Sequence, residues 1–290
     1  MPARVWTALA GLITVLLVAV VGLDQWQTRR GEVSLFGLPW RASPAPAASA
    51  PVMPKSRELP PPVPSSGLAG APRIAVIVDD LGARRDVFDG LREIRRPLTV
   101  AVLPGLPLSE WTAREATQSG MEVLLDLPME PYRYPEVDPG PGALLMSMTP
   151  RELQVQLGGH LASVPGAVGI TNHMGSRMTE DHASMRTVLE VMAGRRLFLV
   201  DGLTSNLSVA YDEAKAQGLR AGRRQVTVDH MAGEAGDRVR WDEVTWWAEK
   251  RGEVIVIAHG HPLTARLLRE YVPRWEARGI RLVPVSQLAR

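Results

Sequence analysis

From Arg73 onward the chain switches repeatedly between two hydrophobic patterns. Short runs rich in Val, Ile and Leu fall at 73–79, 98–103, 121–127, 167–171, 197–201, 225–229 and 254–258, with a last one at 281–285. Unbroken apolar runs of this kind predict strands buried on both faces of a parallel sheet. Helical periodicity fills the intervals, at 85–95, 108–119, 149–163, 181–194, 207–217, 237–250 and 263–277. Thr149 followed by Pro150 and Glu152 marks a helix start, since proline suits the first turn and the glutamate reaches back to the free amides. Gly120, Gly194, Gly218, Gly252 and Gly279 each follow a helical run, where a left-handed C-terminal cap is expected. The repeat is a βα unit. Residues 73–290 therefore predict an irregular α/β barrel of (β/α)7-8 type, with a doubly wound open sheet as the alternative that periodicity does not exclude.

Two stretches precede this domain. Val5 to Leu23 carries no charge over nineteen residues, long enough as a helix (about 28 Å) to cross a hydrocarbon core of about 30 Å. No small-x-small cleavage site follows it directly, so residues 1–30 are read as an uncleaved signal anchor, with a cleaved signal peptide as the alternative. A lone N-terminal span of this kind places the domain outside the cytoplasm, in a bacterium the periplasmic side of the inner membrane. Residues 31–72 form a linker, and nine prolines fall within 42–72. Such a sequence is an extended tether, not a core.

Composition narrows the chemistry. The net charge is +2 and no Arg-Lys run appears, which argues against a nucleic-acid surface. There is no cysteine, so any metal must be held by His, Asp and Glu. Neither a Gly-x-Gly-x-x-Gly after the first strand nor a phosphate-binding Gly-x-x-x-x-Gly-Lys occurs, so no nucleotide cofactor is expected. A Gly-x-Ser-x-Gly elbow is also missing, against a serine hydrolase.

The acidic and histidine residues cluster where strands end: Asp79-Asp80, Asp126 with Glu130, Asn172-His173, Asp201, Asp229-His230, and His259 with His261. In parallel α/β folds those ends form the active face. Adjacent Asp79 and Asp80 repel each other after a buried strand unless a cation compensates; helix capping by one of them is the structural alternative. His173 ends a strand before a glycine turn and suits a metal. Asp126 and Glu130 flank Pro128, and either can ligate. Asp201 is placed either to orient a histidine or to cap the next helix. His261 on the rim suits a general acid, and His259 is placed to point into the barrel. His160 and His182 lie in helical patterns and are read as surface residues, and Trp241, Trp246 and Trp247 are read as core.

In combination, IVDDLG, LPMEP, NHMGS, FLVDGLTS and IAHGHP resemble, in order, the divergent polysaccharide deacetylases. That group is a remote branch of the metal-dependent carbohydrate deacetylases. The resemblance implies a divalent metal, usually zinc, with Asp79 as base and Asp80 as ligand. Two histidines four apart, usual in the mainstream enzymes, are replaced here by Asp126 and Glu130. His173 and Glu130 are then the expected further ligands, and His261 the expected acid. The usual Arg-Asp pair reads Arg224-Gln225, and an expected Asp-Ser-Arg reads Asp201-Gly202-Leu203. The expected function is removal of acetyl from an N-acetylated cell-envelope glycan. The alternative is a degenerate barrel that binds glycan or an envelope protein without turnover.

Overall fold

The computed structural model describes residues 70–228 and 233–290. The expected anchor, nearly all of the linker, and Asp229-His230 lie outside them. Among the described residues no helix is long and apolar enough to cross a membrane.

The elements alternate as the hydrophobic pattern predicts. They run β1 (Arg73–Leu81), α1 (Arg85–Arg92), β2 (Thr99–Val102), α2 (Ser109–Gln118), β3 (Glu122–Met129), α3 (Pro150–Ser163), β4 (Gly169–Met174) and α4 (His182–Gly194). There follow β5 (Phe198–Asp201), α5 (Ala210–Ala216), β6 (Ala221–Arg223), β7 (Val226–Val228), α6 (Gly233–Arg251), β8 (Glu253–His259), α7 (Pro262–Ala277) and β9 (Arg281–Leu282). Thr149 and Glu152 cap α3 reciprocally, as their spacing implies. Gly194, by contrast, ends α4 inside the helix, and Arg196 adopts the left-handed conformation with φ 59°.

Every strand pair is parallel, in the order β6-β5-β4-β3-β2-β1-β8-β7, with β9 beside the start of β1. The sheet curls but its hydrogen-bond ladder does not close. The strand expected at 225–229 is β7, and a further short strand, β6, precedes it at 221–223. β6 pairs with β5, and β7 pairs with β8. Between them Arg224 N donates to Asp201 O and Gln225 N to Ile255 O. The two sheet edges are thus joined by one covalent step of chain, and the Gln225 Oε1 acceptor for Ile255 N (2.7 Å) replaces a ladder bond.

Successive strand side chains point to opposite faces, and the core divides accordingly. A large outer cluster, including Val76, Val78, Leu125, Leu127 and Val256, packs under the helices. A smaller inner one holds Ala75, Ile77, Leu124, Val200, Ile255 and Ile257. The C-terminal segment closes the floor: Val283, Val285 and Leu288 join the inner cluster. Val285 N donates to Thr99 Oγ1 and Ser286 N to Glu122 Oε1, both at 3.0 Å. With the floor apolar and blocked, the inner face is open to chemistry only at the strands' carboxyl ends.

Candidate metal centre

Alternation alone would send Asp79 and Asp80 to opposite faces. A β-bulge prevents this. The register of β1 against β2 is Val78↔Val100 and then Leu81↔Val102, so one extra residue sits in β1. Asp80 takes up the excess in the left-handed region, φ 57°, a conformation that aspartate tolerates better than most residues. Asp79 keeps the inward parity of Ala75 and Ile77, while the bulge brings Asp80 to the same centre. Its amide then donates to Asp126 Oδ2 at 3.0 Å. Gly260 permits the close crossing of β8's end over this bulge, since a Cβ there would stand 2.7 Å from Asp79 O.

Four strands supply the site. Asp126 shares the inward parity of Leu124 on β3, and His259 that of Ile255 and Ile257 on β8. His173 ends β4 opposite Pro128. Its Nδ1 lies 2.8 Å from Asp80 Oδ1 and 3.9 Å from Asp126 Oδ2. His259 Nδ1 lies 3.1 Å from Asp79 Oδ1 and 3.0 Å from Asp80 Oδ2. Asp80 therefore gives one oxygen to each histidine.

Charge in this centre is far from its solution balance. Burial pushes the Asp126 carboxyl up to about 8, with the Asp79 and Asp80 charges adding to the effect. Burial also raises Asp79, against the opposing hydrogen bond from His259. For Asp80, the two histidines outweigh burial and hold it below the usual carboxylate range. The hydrogen bonds to Asp79 and Asp80 push His259 up to about 11. His173 is driven down by burial, but the surrounding carboxylates raise it to about 9. Without a metal the cluster compensates its three carboxyls by retaining protons.

A divalent cation fits this donor set. Asp126 is fully buried, and its Oδ1 has no hydrogen-bond partner. Buried carboxylate oxygens without partners are costly in a protein interior. Among the described residues two groups of donors can surround an ion, Asp80–Asp126–His173 and Asp79–Asp80–His259. Neither holds both histidines within 4.8 Å of all the other donors. Each group therefore contains one of the two histidines, and Asp80 belongs to both. Asp80–Asp126–His173 contains the unpartnered Asp126 Oδ1 and is the better cage.

The remaining expected site residues lie elsewhere. Glu130 is buried, with Oε1 2.7 Å from Arg177 Nη1 and Oε2 accepting from Met146 N at 2.8 Å. It fastens the loop after β3 to the loop after β4. Asp201 has the parity of Leu199 and so faces away from the inner cluster. Its oxygens accept from Leu203 N and Ser208 Oγ, with Arg223 Nε 3.5 Å away. His261 caps α7 by accepting from Leu263 N at 3.1 Å. His160, expected at the surface, is buried and bonded to Gly142 O at 2.7 Å. His182 does lie exposed against Glu213, and of the three tryptophans Trp241 and Trp247 are core while Trp246 is exposed.

The order of these strand ends coincides with a known pattern: a family model for divergent polysaccharide deacetylases matches residues 76–289. The chain belongs to that family. Among curated relatives, the uncharacterized protein YibQ of Escherichia coli K12 is 33% identical over 205 residues, 71% of this chain. The match spans 63% of that relative's length. An uncharacterized protein of Haemophilus influenzae is 27% identical over 197 residues, covering 68% of this chain and 70% of its own. Among solved structures, an uncharacterized protein of Agrobacterium tumefaciens C58 superposes with a TM-score of 0.72 at 25% identity. That alignment covers 78% of this chain and 92% of the other. The curled parallel sheet is thus the deacetylase-type fold.

Proposed function

We propose that this protein is a metal-dependent hydrolase that removes acetyl groups from an N-acetylated cell-envelope polysaccharide. The observation that carries the reading is the fully buried Asp126, whose Oδ1 has no hydrogen-bond partner, beside Asp80 and His173. These three residues would hold the ion, and zinc suits their nitrogen and oxygen donors. When bound, the cation supplies Lewis-acid polarisation of an amide carbonyl and acidifies a water molecule.

The proton work falls to the neighbouring pair. Asp79 is buried, within 3.1 Å of His259 Nδ1, and both face the same centre. Asp79 accepts a proton from the attacking water as its oxygen bonds to the acetyl carbon. His259 gives a proton to the sugar nitrogen as the C–N bond breaks, leaving acetate and a free amine. In this reading the acid is His259, since the Nδ1 of His261 is engaged at the start of α7. The uncharged run at 5–23 supports tethering at the bacterial inner membrane, with the domain on the periplasmic side.

Elemental analysis of the purified full chain, with acetate release from N-acetylated chitotetraose, tests this. One ion per chain is expected, lost in Asp80→Ala and Asp126→Asn. Asp79→Asn is expected to keep the ion and lose turnover. A chain that takes up no ion after incubation with zinc would sink the enzyme reading in favour of a glycan-binding adaptor.

A further inference from the structure

Among the described residues six large hydrophobic side chains are exposed: Val155 on α3 and Val239 and Trp246 on α6 lie on helices, while Val168, Leu207 and Tyr132 lie on loops, and of the loop residues only Tyr132 is aromatic. Tyr132 is different. It is 56% exposed on the loop after β3, at the strand ends that carry the metal centre. Its backbone and its hydroxyl are both tied down: Ser176 Oγ accepts from its amide at 3.1 Å, and its hydroxyl donates to Glu180 Oε1. Ser205, on the loop after β5, donates to the same Glu180 oxygen. One carboxylate therefore ties three rim loops together under an exposed aromatic face.

The ground beneath is fixed as well. Asn172, next to His173, donates to Met174 O and Thr204 Oγ1 and accepts from Gly202 N. Arg224 donates to Gly202 O and Leu203 O at 2.5 and 2.7 Å. Met174 and Leu203 are held at φ 51° and 48°, backbone conformations that persist only where surroundings enforce them. An exposed ring, a carboxylate and a serine hydroxyl, from the loops after β3, β4 and β5, form a polar-edged apolar platform on the rim that carries His173. That is sugar-recognition chemistry: the C–H face of a pyranose lies on the ring, and its hydroxyls donate to the carboxylate.

We propose that Tyr132, Glu180 and Ser205 form a subsite for a second sugar unit, so that the protein takes a polymer and not a free monosaccharide. The proposal rests on the deacetylase reading only for its choice of sugar. Isothermal titration of the full chain with N-acetylated chitotetraose and with N-acetylglucosamine tests it. Tyr132→Ala should weaken tetrasaccharide binding by on the order of tenfold and leave the single sugar unaffected. Tyr132→Phe, which keeps the face, should bind close to wild type. If Tyr132→Ala does not fold, Tyr132→Leu carries the same expectation, as bulk without an aromatic face. Wild-type affinity in the alanine or leucine variant, or no tetrasaccharide binding by the unaltered chain, overturns the subsite. Failure of the enzyme reading is seen separately, as tyrosine-dependent binding without acetate release.

Discussion

Asp126 at the end of β3 and Asp201 at the end of β5 are both fully buried carboxylates in the same sheet, yet their surroundings are opposite. Asp201 faces the outer layer and has partners for both oxygens, Leu203 N and Ser208 Oγ. Asp126 faces the inner centre and leaves Oδ1 with none. A satisfied buried carboxylate organises a loop. An unsatisfied one, set among two other carboxyls and two histidines, is a place for a cation. Burial alone would not have distinguished them; the hydrogen-bond count does.

The contrast can be broken from either side. The largest effect is expected from Asp126→Asn, which should lower cation affinity by more than about 100-fold, beyond the loss typical of outer-shell changes. Because the replaced oxygen has no partner, the metal-free chain should unfold in urea within about 1 kcal/mol of wild type. Asp201→Ala should do the reverse. It strands Ser208 Oγ and Leu203 N and should cost about 1–3 kcal/mol of stability, while zinc titration shows nearly unchanged affinity. Equal loss of zinc in both variants would show that the two strand ends do not divide the work.

A smaller effect is expected from Gly260→Ala. The added Cβ meets the Asp79 carbonyl oxygen at 2.7 Å, so the bulge must shift, at about 1–3 kcal/mol. The shift should reduce turnover and zinc binding together, because the bulge carries Asp80 as well as Asp79. The smallest effect concerns the loop after β3, where Gly142 (φ 75°) packs against His160. Burial lowers His160 from its ordinary value of 6.5. Below that value the unfolded chain binds a proton that the folded chain does not, so stability should fall as pH drops through the window just under 6.5. His160→Gln should flatten that part of a pH–stability profile and leave the pH dependence of zinc binding unaltered.

Much of this was legible in the sequence because strand periodicity and helix caps are local. The βα order, the Thr149 cap and the collection of acids and histidines at strand ends follow from residues a few positions apart. Parity was legible in principle. In VIVIAHGH the residues facing inward are Ile255, Ile257 and His259, and His261 lies beyond the strand. What the sequence does not show is which face of each run turns inward, and that excluded Asp201 while admitting Asp126. Glu130 looked like a ligand because its partner Arg177 is remote in sequence. His160 looked exposed because the carbonyl that satisfies it belongs to Gly142, in a loop without periodicity. The short strand β6 at 221–223 depends on pairing with β5, a contact no local pattern encodes.

The bulge in β1 has a consequence for how such a protein can change over generations. The extra residue that brings Asp80 to the centre also interrupts the ladder with β2. Loss of a single codon there would restore regular pairing while removing the donor shared by both histidines. The residue that interrupts the sheet is thus the one that the proposed metal centre needs, and a regular β1 would have no place for it.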